Sequence, residues 1–430
     1  MSSFKARLDK FVPGGQAITN VKLEDGVEKK AFIWGGLPGE EVEFVVTKKR
    51  AGIYEGVVEN VLTKSDFRVK PKDEESYLST SPWQILDWQY ELKTKAELTQ
   101  QVFAQHKITI PLPEVMTDNQ EYKYRNKMEF TWWWNKDSEQ IDLAHYRRGT
   151  KGKIPVTGSS LAAPGINAAA RRVCDLLNEL NVEARQLKTL LIRANRLGEI
   201  VAQLYVVDDS LSILEEDFKR LRLAGFEIIY SEPKSPASVI TTRLQSFGQT
   251  SLEDEILGQK FTYPAESFFQ INLPVYELAL REIKKHLLPN SPIVDLYSGV
   301  GTIGLSVADG RQVSLVEISP TAVEEMNNNI IEQKIKNAFA VLSPAESAID
   351  YITSDCQLIV DPPRAGLHKD VVARILEVKP QRLIYLSCNP ATQARDITLL
   401  FNDYVLQEAK VFNFFPKTPH IEALAVLNLK

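Results

Sequence analysis

Apolar and polar positions alternate with a period near two through much of residues 11–70, in short runs such as AFIW (31–34), EVEFVV (41–46) and YEGVVENV (54–61). Gly-rich or charged turns, including GGLPGE (35–40), separate them. A pleated chain points successive side chains to opposite faces, so these runs predict strands, and their number and brevity predict a small five-stranded barrel of the oligonucleotide-binding kind. The polar, turn-forming segment KPKDEESYLSTSPW (70–83) ends the pattern, and from Gln84 to Lys107 the spacing becomes helical. Residues 122–265 then read as mixed α/β. MEFTWWW (128–134) predicts a strand, NAAARRVCDLLNEL (167–180) a helix, and TLLIRAN (189–195) with EIVAQLYVV (199–207) a strand pair. Aromatic faces accept stacked bases, but alternation through the tryptophan run predicts a buried Trp133 between oppositely directed Trp132 and Trp134, so core packing is the default there.

After Pro264 the pattern changes again. Apolar runs PIVDLY (292–297), QVSLVE (312–317), AFAVLS (338–343), LIVD (358–361) and RLIYLSC (382–388) alternate with helical stretches, which predicts a doubly wound parallel sheet. VLQEAKVFNFF (405–415) and HIEALAVLNL (420–429) follow with a short loop between them and predict a hairpin at the sheet edge. The expected organisation is therefore α/β with three domains: a β-barrel over 1–70, a linker and central α/β domain over 71–265, and the doubly wound domain over 266–430.

Composition refines this picture modestly. A chain of 430 residues with 44% hydrophobic and 25% charged positions exceeds one hydrophobic core but is otherwise ordinary. MSSFKARLDK has no apolar leader core, and no apolar run approaches the roughly 20 residues of a membrane span, so a cytoplasmic protein without membrane attachment is expected. Cys174, Cys356 and Cys388 are too few for a disulfide framework or a four-thiolate metal site, and no metal is expected. The net charge of −5 argues against nucleic acid, although Lys48, Lys49 and Arg50 cluster, as do Arg147, Arg148, Lys151 and Lys153. On charge alone both clusters read as solvated loops.

Three motifs carry candidate chemistry. In DLYSGVGTIGL (295–305) an apolar strand runs into Gly299, Gly301 and Gly304 and then a helix start, the setting in which glycine turns approach a nucleoside cofactor. Glu317, at the end of the next strand, is placed to bind ribose hydroxyls. The fingerprint fits a dinucleotide or S-adenosylmethionine; its place in a domain that closes with a hairpin favours the second. Asp361 opens DPPRAGL (361–367), where two prolines stiffen a loop on the same crevice. Cys388 follows the fifth strand and precedes Asn389–Pro390 and a helix whose N–H groups would favour a thiolate. Cys174 reads as core, and Cys356 has no assigned role. Glu422 lies in an otherwise apolar strand, where the ordinary reading is a solvent-facing edge position and the functional reading a base. His420 reads as an orienting or structural residue.

SFFQIN (267–272), DLYSGVGTIGL, DPPRAGL, LSCNPATQARD (386–396) and PHIEALAVL (419–427), in that order, closely resemble the RNA uridine C5-methyltransferases. GGQAI (14–18), LPGE (37–40) and RVKP (68–71) resemble that family's RNA-binding TRAM barrel, and YRNKMEF (124–130) its central domain. The resemblance implies a Rossmann-like class I methyltransferase sheet with a C-terminal β-hairpin. It implies methyl transfer from S-adenosylmethionine to C5 of a uridine in RNA, ribosomal RNA favoured and transfer RNA possible; separately, a monomer without an obligate protein partner is expected. Cys388 would add to C6 of the base and Glu422 would remove the C5 proton. Gln270, Tyr297, Gly299, Gly301, Glu317 and Asp361 would hold the cofactor, and Phe268 and Arg364 would meet the substrate. Thr302 stands where relatives often carry Asn. Many relatives also bind a four-iron, four-sulfur cluster through cysteines, but here KDEESYLSTSP (72–82) and VTGSSLAAP (156–164) offer serines and acids, so no cluster is expected. The competing readings are an RNA cytidine C5-methyltransferase, which would need a second cysteine where DPPR stands, and a non-catalytic RNA-binding or chaperone protein retaining the fold. An amino-group methyltransferase would need an aromatic residue where Arg364 stands.

Overall fold

The computed structural model describes residues 3–22, 27–50, 52–235 and 237–430. The chain divides into two compact units. The first comprises Met1–Thr94, Gln120–Thr250 and Phe415–Pro419, and the second Lys95–Asn119, Ser251–Phe414 and His420–Lys430.

The first unit opens with β1 (Ser3–Arg7), β2 (Lys10–Phe11), β3 (Ala17–Lys22), β4 (Glu28–Trp34), β5 (Glu41–Arg50) and β6 (Ile53–Thr63), joined in the order β1-β5-β6-β4-β3-β2. Alternation along β5 turns Val42, Phe44 and Val46 inward, as the period-two pattern requires. Six strands form rather than the five expected, because SFKAR has too few apolar residues for alternation to register. Backbone pairing with β5 holds it, and none of its residues is buried. Glu40 of the LPGE turn is fully buried and accepts two hydrogen bonds from Arg68, at 2.6 and 2.7 Å, and one from the Leu37 amide. This pair fastens the barrel to the segment that follows it.

The chain continues through α1 (Tyr77–Thr80), α2 (Trp88–Gln105) and the two-residue β7 (Val115–Met116) to β8 (Lys127–Asn135), β9 (Gln140–Tyr146), β10 (Lys153–Pro155), α3 (Ile166–Glu179), β11 (Leu187–Ala194), β12 (Ile200–Val206), α4 (Glu215–Leu221), β13 (Gly225–Tyr230) and β14 (Thr242–Gly248). β8 to β14 form one seven-stranded sheet, and the apolar face of α3 seals it around a core that includes Phe130, Val173, Cys174, Leu190 and Leu204. Cys174 is a packed core thiol. Burial in the tryptophan run reverses the expectation: Trp132 is 1% exposed, whereas Trp133 and Trp134 are 38% and 43% exposed. Trp132 faces the core, and the two residues after it lie at the strand end.

The stretches 72–82 and 156–164 are fastened to each other by oxygen. Asp73 accepts hydrogen bonds from the Ser160 amide and hydroxyl and from Gln84 Nε2, at 2.9 to 3.1 Å. Neither stretch contains a thiolate donor, so these residues do not fit an iron–sulfur group.

The second unit contains the hairpin β15 (Ser251–Ile256) and β16 (Gln259–Pro264), then α5 (Leu273–Lys285), β17 (Ile293–Leu296), α6 (Thr302–Val307), β18 (Val313–Glu317), α7 (Pro320–Glu332), β19 (Ala338–Leu342), β20 (Gln357–Val360), α8 (Lys369–Val378), β21 (Arg382–Ser387), α9 (Pro390–Leu400), β22 (Tyr404–Phe412) and β23 (Glu422–Leu429). Its eight-stranded sheet runs β19-β18-β17-β20-β21-β23-β22-β7. The five strands from β19 to β21 are parallel, as the alternation of apolar strands and helices requires, and β23 enters antiparallel beside β21. β7 adds at the outer edge, a pairing of two residues that no sequence pattern signals.

Registry between β21 and β23 runs from Arg382 opposite Asn428 to Ser387 opposite Ala423. Gln393, buried on α9, donates through Nε2 to the carbonyls of Tyr385 on β21 and Ala423 on β23, at 2.7 and 3.0 Å. One side chain thus spans both strands near the end of their ladder. Gln393→Leu should remove both bonds, leave buried carbonyls short of a donor and cost about 2 kcal/mol of stability. Urea denaturation checks this, and an unchanged midpoint would show that the bridge is dispensable.

Candidate active site

The glycine turn follows β17. Tyr297 takes a left-handed backbone at φ +65°, unusual for a non-glycine residue, and Gly299 and Gly301 follow at φ +58° and +86°. Two glycines answer different demands. A Cβ on Gly299 would meet nothing within 4 Å, so its backbone borders open space, whereas a Cβ on Gly304 would press Leu315 at 2.5 Å, so that glycine lets α6 seat on the sheet. Glu317 at the end of β18 accepts from the Gly299 amide at 2.9 Å through one oxygen and from the Ser319 amide at 2.8 Å through the other. Each oxygen retains a lone pair. An open glycine turn beside a fixed carboxylate fits the ribose and backbone-facing edge of a nucleoside cofactor.

Asp295 in β17 is wholly buried; one carboxylate oxygen accepts from the Gly304 amide at 2.9 Å, and the other has no hydrogen-bond partner in the structure. Burial, reinforced by Asp361 and Glu317, raises its pKa to about 8. Burial thus favours its neutral form.

Asp361, Cys388 and Glu422 occupy the adjoining strand ends. Asp361 follows β20, Cys388 follows β21, and Glu422 is the first residue of β23. Because β23 is antiparallel, its start lies level with the carboxyl ends of its parallel neighbours. The ladder that pairs Ser387 with Ala423, continued by one step, sets Cys388 opposite Glu422, at the spacing of adjacent strands. Glu422 is 5% exposed, so the solvent-facing edge position does not hold. Burial and then Asp361 push its carboxyl well above the usual range, while Arg364 acts in the opposite sense. Asp361 is raised too, by burial.

Cys388 is half-buried. Burial, then Glu422 and Asp361, raise its thiol pKa to about 11, with Arg364 again opposing. Desolvation and the two nearby carboxyls thus act against the thiolate that the start of α9 would favour. Arg364 is exposed, and its Nη2 lies 3.3 Å from His420 Nδ1. Its carbonyl accepts from Asn389 Nδ2 at 2.9 Å and Thr392 Oγ1 at 3.2 Å, which ties the DPPR loop to the turn after Cys388.

The remaining expected residues sit nearby in sequence but differ in setting. Phe268 is 76% exposed and Gln270 half-buried, in the loop before α5, where Phe269 turns inward and stacks on Tyr263 at 3.7 Å. The Tyr297 side chain packs against the core of the sheet, and its hydroxyl meets the His368 backbone. Sequence reasoning missed Tyr276. It is buried in α5, its hydroxyl is 2.8 Å from Thr302 Oγ1, and it senses the charges of Asp361, Asp295 and Glu422. A tyrosine on the apolar face of a helix gives no signal of that setting. Among the described residues, Glu282, His286 and Glu408 also gather within metal-ligand reach, but Lys410 Nζ already lies 2.9 and 3.1 Å from the two carboxylates. That candidate cation site is empty.

The family profile described as tRNA (uracil-5-)-methyltransferase matches residues 87–430. The chain belongs to this family. Among its relatives, an uncharacterized RNA methyltransferase of Enterococcus faecalis is 30% identical over 420 residues, with 92% of each chain covered. A protein of the same description from Lactiplantibacillus plantarum is 28% identical with the same coverage. The tRNA (uracil-54, C5)-methyltransferase of Pyrococcus abyssi, solved in complex with S-adenosyl-L-homocysteine, shares the fold at a TM-score of 0.79 and 21% identity, covering 98% of this chain and 100% of that one. Membership of the tRNA (uracil-5-)-methyltransferase family makes the chain an S-adenosylmethionine-dependent RNA uracil-C5 methyltransferase by class. No helix of the described residues is long and apolar enough to cross a membrane.

The raised thiol pKa in this uracil-5-methyltransferase has a measurable consequence. Iodoacetamide should alkylate Cys388 slowly at pH 7 and faster as pH climbs toward about 11, while buried Cys174 and Cys356 stay unmodified. Glu422→Gln should shift that profile to lower pH and Arg364→Ala to higher pH. Peptide mass spectrometry across pH reads both shifts, and identical profiles in all three proteins would refute the electrostatic account.

Proposed function

We propose that the protein methylates C5 of a uridine in structured RNA through a covalent bond between Cys388 and C6 of the base. The observation that supports the reading is the β21–β23 register, which ends with Ser387 opposite Ala423 and so leaves Cys388 and Glu422 as the next residues at that end of the sheet.

C5 of uracil is a weak nucleophile. The Cys388 thiol gives its proton to solvent, and addition of the resulting thiolate to C6 moves the C5–C6 electron pair into an enolate, with Arg364 the cation that lowers the cost of both charges. S-adenosylmethionine, when bound, supplies an electrophilic methyl group. Gly299, Glu317, Asp361, Gln270 and Tyr297 are the residues proposed to hold it, and Phe268 is proposed to meet the target base. The new C5–methyl bond leaves C5 tetrahedral and still carrying its hydrogen. Glu422 then accepts that proton, the electron pair reforms C5–C6, and the C6–S bond breaks to release the Cys388 sulfur. Burial disfavours the ionised form of Glu422, so the step requires it first to lose its own proton; once ionised, its raised basicity favours taking a proton from carbon. One proton is released to solvent in each turnover.

Ribosomal RNA is the first substrate to test, on the strength of the strand-rich N-terminal sheet. Transfer RNA is the second, because the P. abyssi neighbour is named for it. Tritium release from RNA labelled at uridine C5 compares the two directly. Cys388→Ala should lower release by more than about a thousandfold while cofactor binding persists. Turnover at the unsubstituted rate would refute the nucleophile. Glu422→Gln should stall elimination and accumulate a protein–RNA adduct that survives denaturation; if labelled RNA never co-migrates with this variant on a denaturing gel, the base is misassigned. Absence of cofactor-dependent release from both RNAs would favour a binding protein that retains the fold.

A further inference from the structure

Cys388 lies just before α9, and the first two turns of that helix carry polar side chains that all meet one loop. Asn389, Thr392 and Asp396 are spaced by three and then four positions, which puts them on one helix face. They and their neighbour Arg395 hold successive main-chain groups from Arg364 to Leu367. Asn389 and Thr392 donate to the Arg364 carbonyl, Arg395 Nη2 donates to the Ala365 carbonyl at 2.9 Å, and Asp396 Oδ2 accepts from the Leu367 amide at 2.8 Å.

Asp396 is the buried centre of this set, 1% exposed. Its Oδ2 also accepts from the Tyr385 hydroxyl on β21 at 2.9 Å, and its Oδ1 accepts from Arg395 Nε and Nη2 at 2.9 and 2.7 Å. A buried ion pair often stabilises a fold no more than apolar packing does. What only the carboxylate supplies here is a fixed acceptor for a loop amide and a fixed seat for the guanidinium that holds the next carbonyl. Gly366 shows how closely the loop is drawn in. Its φ is +83°, and a Cβ there would come within 2.5 Å of Asp396 Oδ2, 2.6 Å of Arg395 Nη2 and 3.1 Å of Thr392 Cβ. On the other side of Arg364, Pro362 and Pro363 each fix their own φ. The Arg364 backbone is therefore held from both directions, while its exposed guanidinium is the cation that opposes Glu422 and Asp361 at the Cys388 sulfur.

We propose that Asp396 is a positioning residue that, through the Leu367 amide and Arg395, fixes the loop carrying Arg364 against the turn after Cys388. The nucleophile and the cation that favours its thiolate are then mounted on the same helix. The inference rests on the proposed role of Cys388 as nucleophile.

Alkylation of Cys388 by iodoacetamide across pH tests it on the full-length protein, because the sign of the change separates two roles. As a negative charge alone, Asp396 would disfavour the thiolate, and D396N would move the alkylation profile to lower pH. As the holder of Arg364, its loss displaces a cation, and D396N should move the profile to higher pH by about half a pH unit. The amide of that variant turns a donor toward the donors of Arg395 and releases them. G366A alters no charge but pushes the loop off the helix, and it should move the profile in the same upward direction. In R364A protein neither substitution should move it further up, because the cation they displace is already gone. A move to lower pH or none in either folded variant overturns the proposal, as does an upward move of equal size in R364A protein. Circular dichroism reports folding, and if D396N does not fold, G366A decides by the same criteria. Tritium release from RNA labelled at uridine C5 by the unsubstituted protein is read in parallel. Release with unmoved profiles sinks the positioning role alone; upward moves without release uphold that role and sink the methyl-transfer reading.

Discussion

The antiparallel ladder between β21 and β23 is the constraint on which the site depends. In a parallel doubly wound sheet every strand presents its carboxyl end to the crevice, and only residues just after a strand reach it. The reversed β23 brings the start of a strand to that edge instead. Glu422 can therefore sit within a strand, paired with Phe412 of β22 and one residue from the end of the ladder with β21, at the same sheet edge as Cys388. Slippage by one residue would turn its carboxyl to the opposite face. Gln393, bonded to both strands, and the Asn389 and Thr392 contacts to the DPPR loop hold three chain segments around one point.

This arrangement has an electrostatic cost. Asp295, Asp361 and Glu422 are all pushed toward their neutral forms, and the Cys388 thiol is pushed away from its reactive one. Buried acids near a sulfur keep the resting thiol quiet. Arg364 is the group that opposes the acids at both Cys388 and Glu422, and His420 beside it fixes its position. Arg364 is thus an exposed cation at the rim of a buried acidic site.

The first unit solves a different problem. Within it the turn between β9 and β10 meets the end of β5, which brings the cations at 147–151 near those at 48–50. The buried Glu40–Arg68 pair and the Arg148–Trp34 stack are the fixed points of that assembly. Asp73 joins Gln84 and Ser160 through hydrogen bonds.

Much of this was legible in the sequence because it is written in local periodicity and local turn chemistry. The alternation of apolar strands with helices after Pro264, the glycine turn at 299–304, the core placement of Cys174 and the motif residues Asp361, Cys388 and Glu422 each follow from neighbours within a few positions. What failed were statements about environment. Ser3–Arg7 is a strand through pairing rather than composition, Trp133 is exposed because its strand runs past the core, and the Cys388 thiol is raised because acids from two other strands lie against it. Tyr276 and the merging of residues 48–50 with 147–151 left no trace in the sequence. Periodicity records which face of an element is buried; it does not record what the other elements bring to that face, and burial energy, charge coupling and hydrogen-bond partners are set by those arrivals.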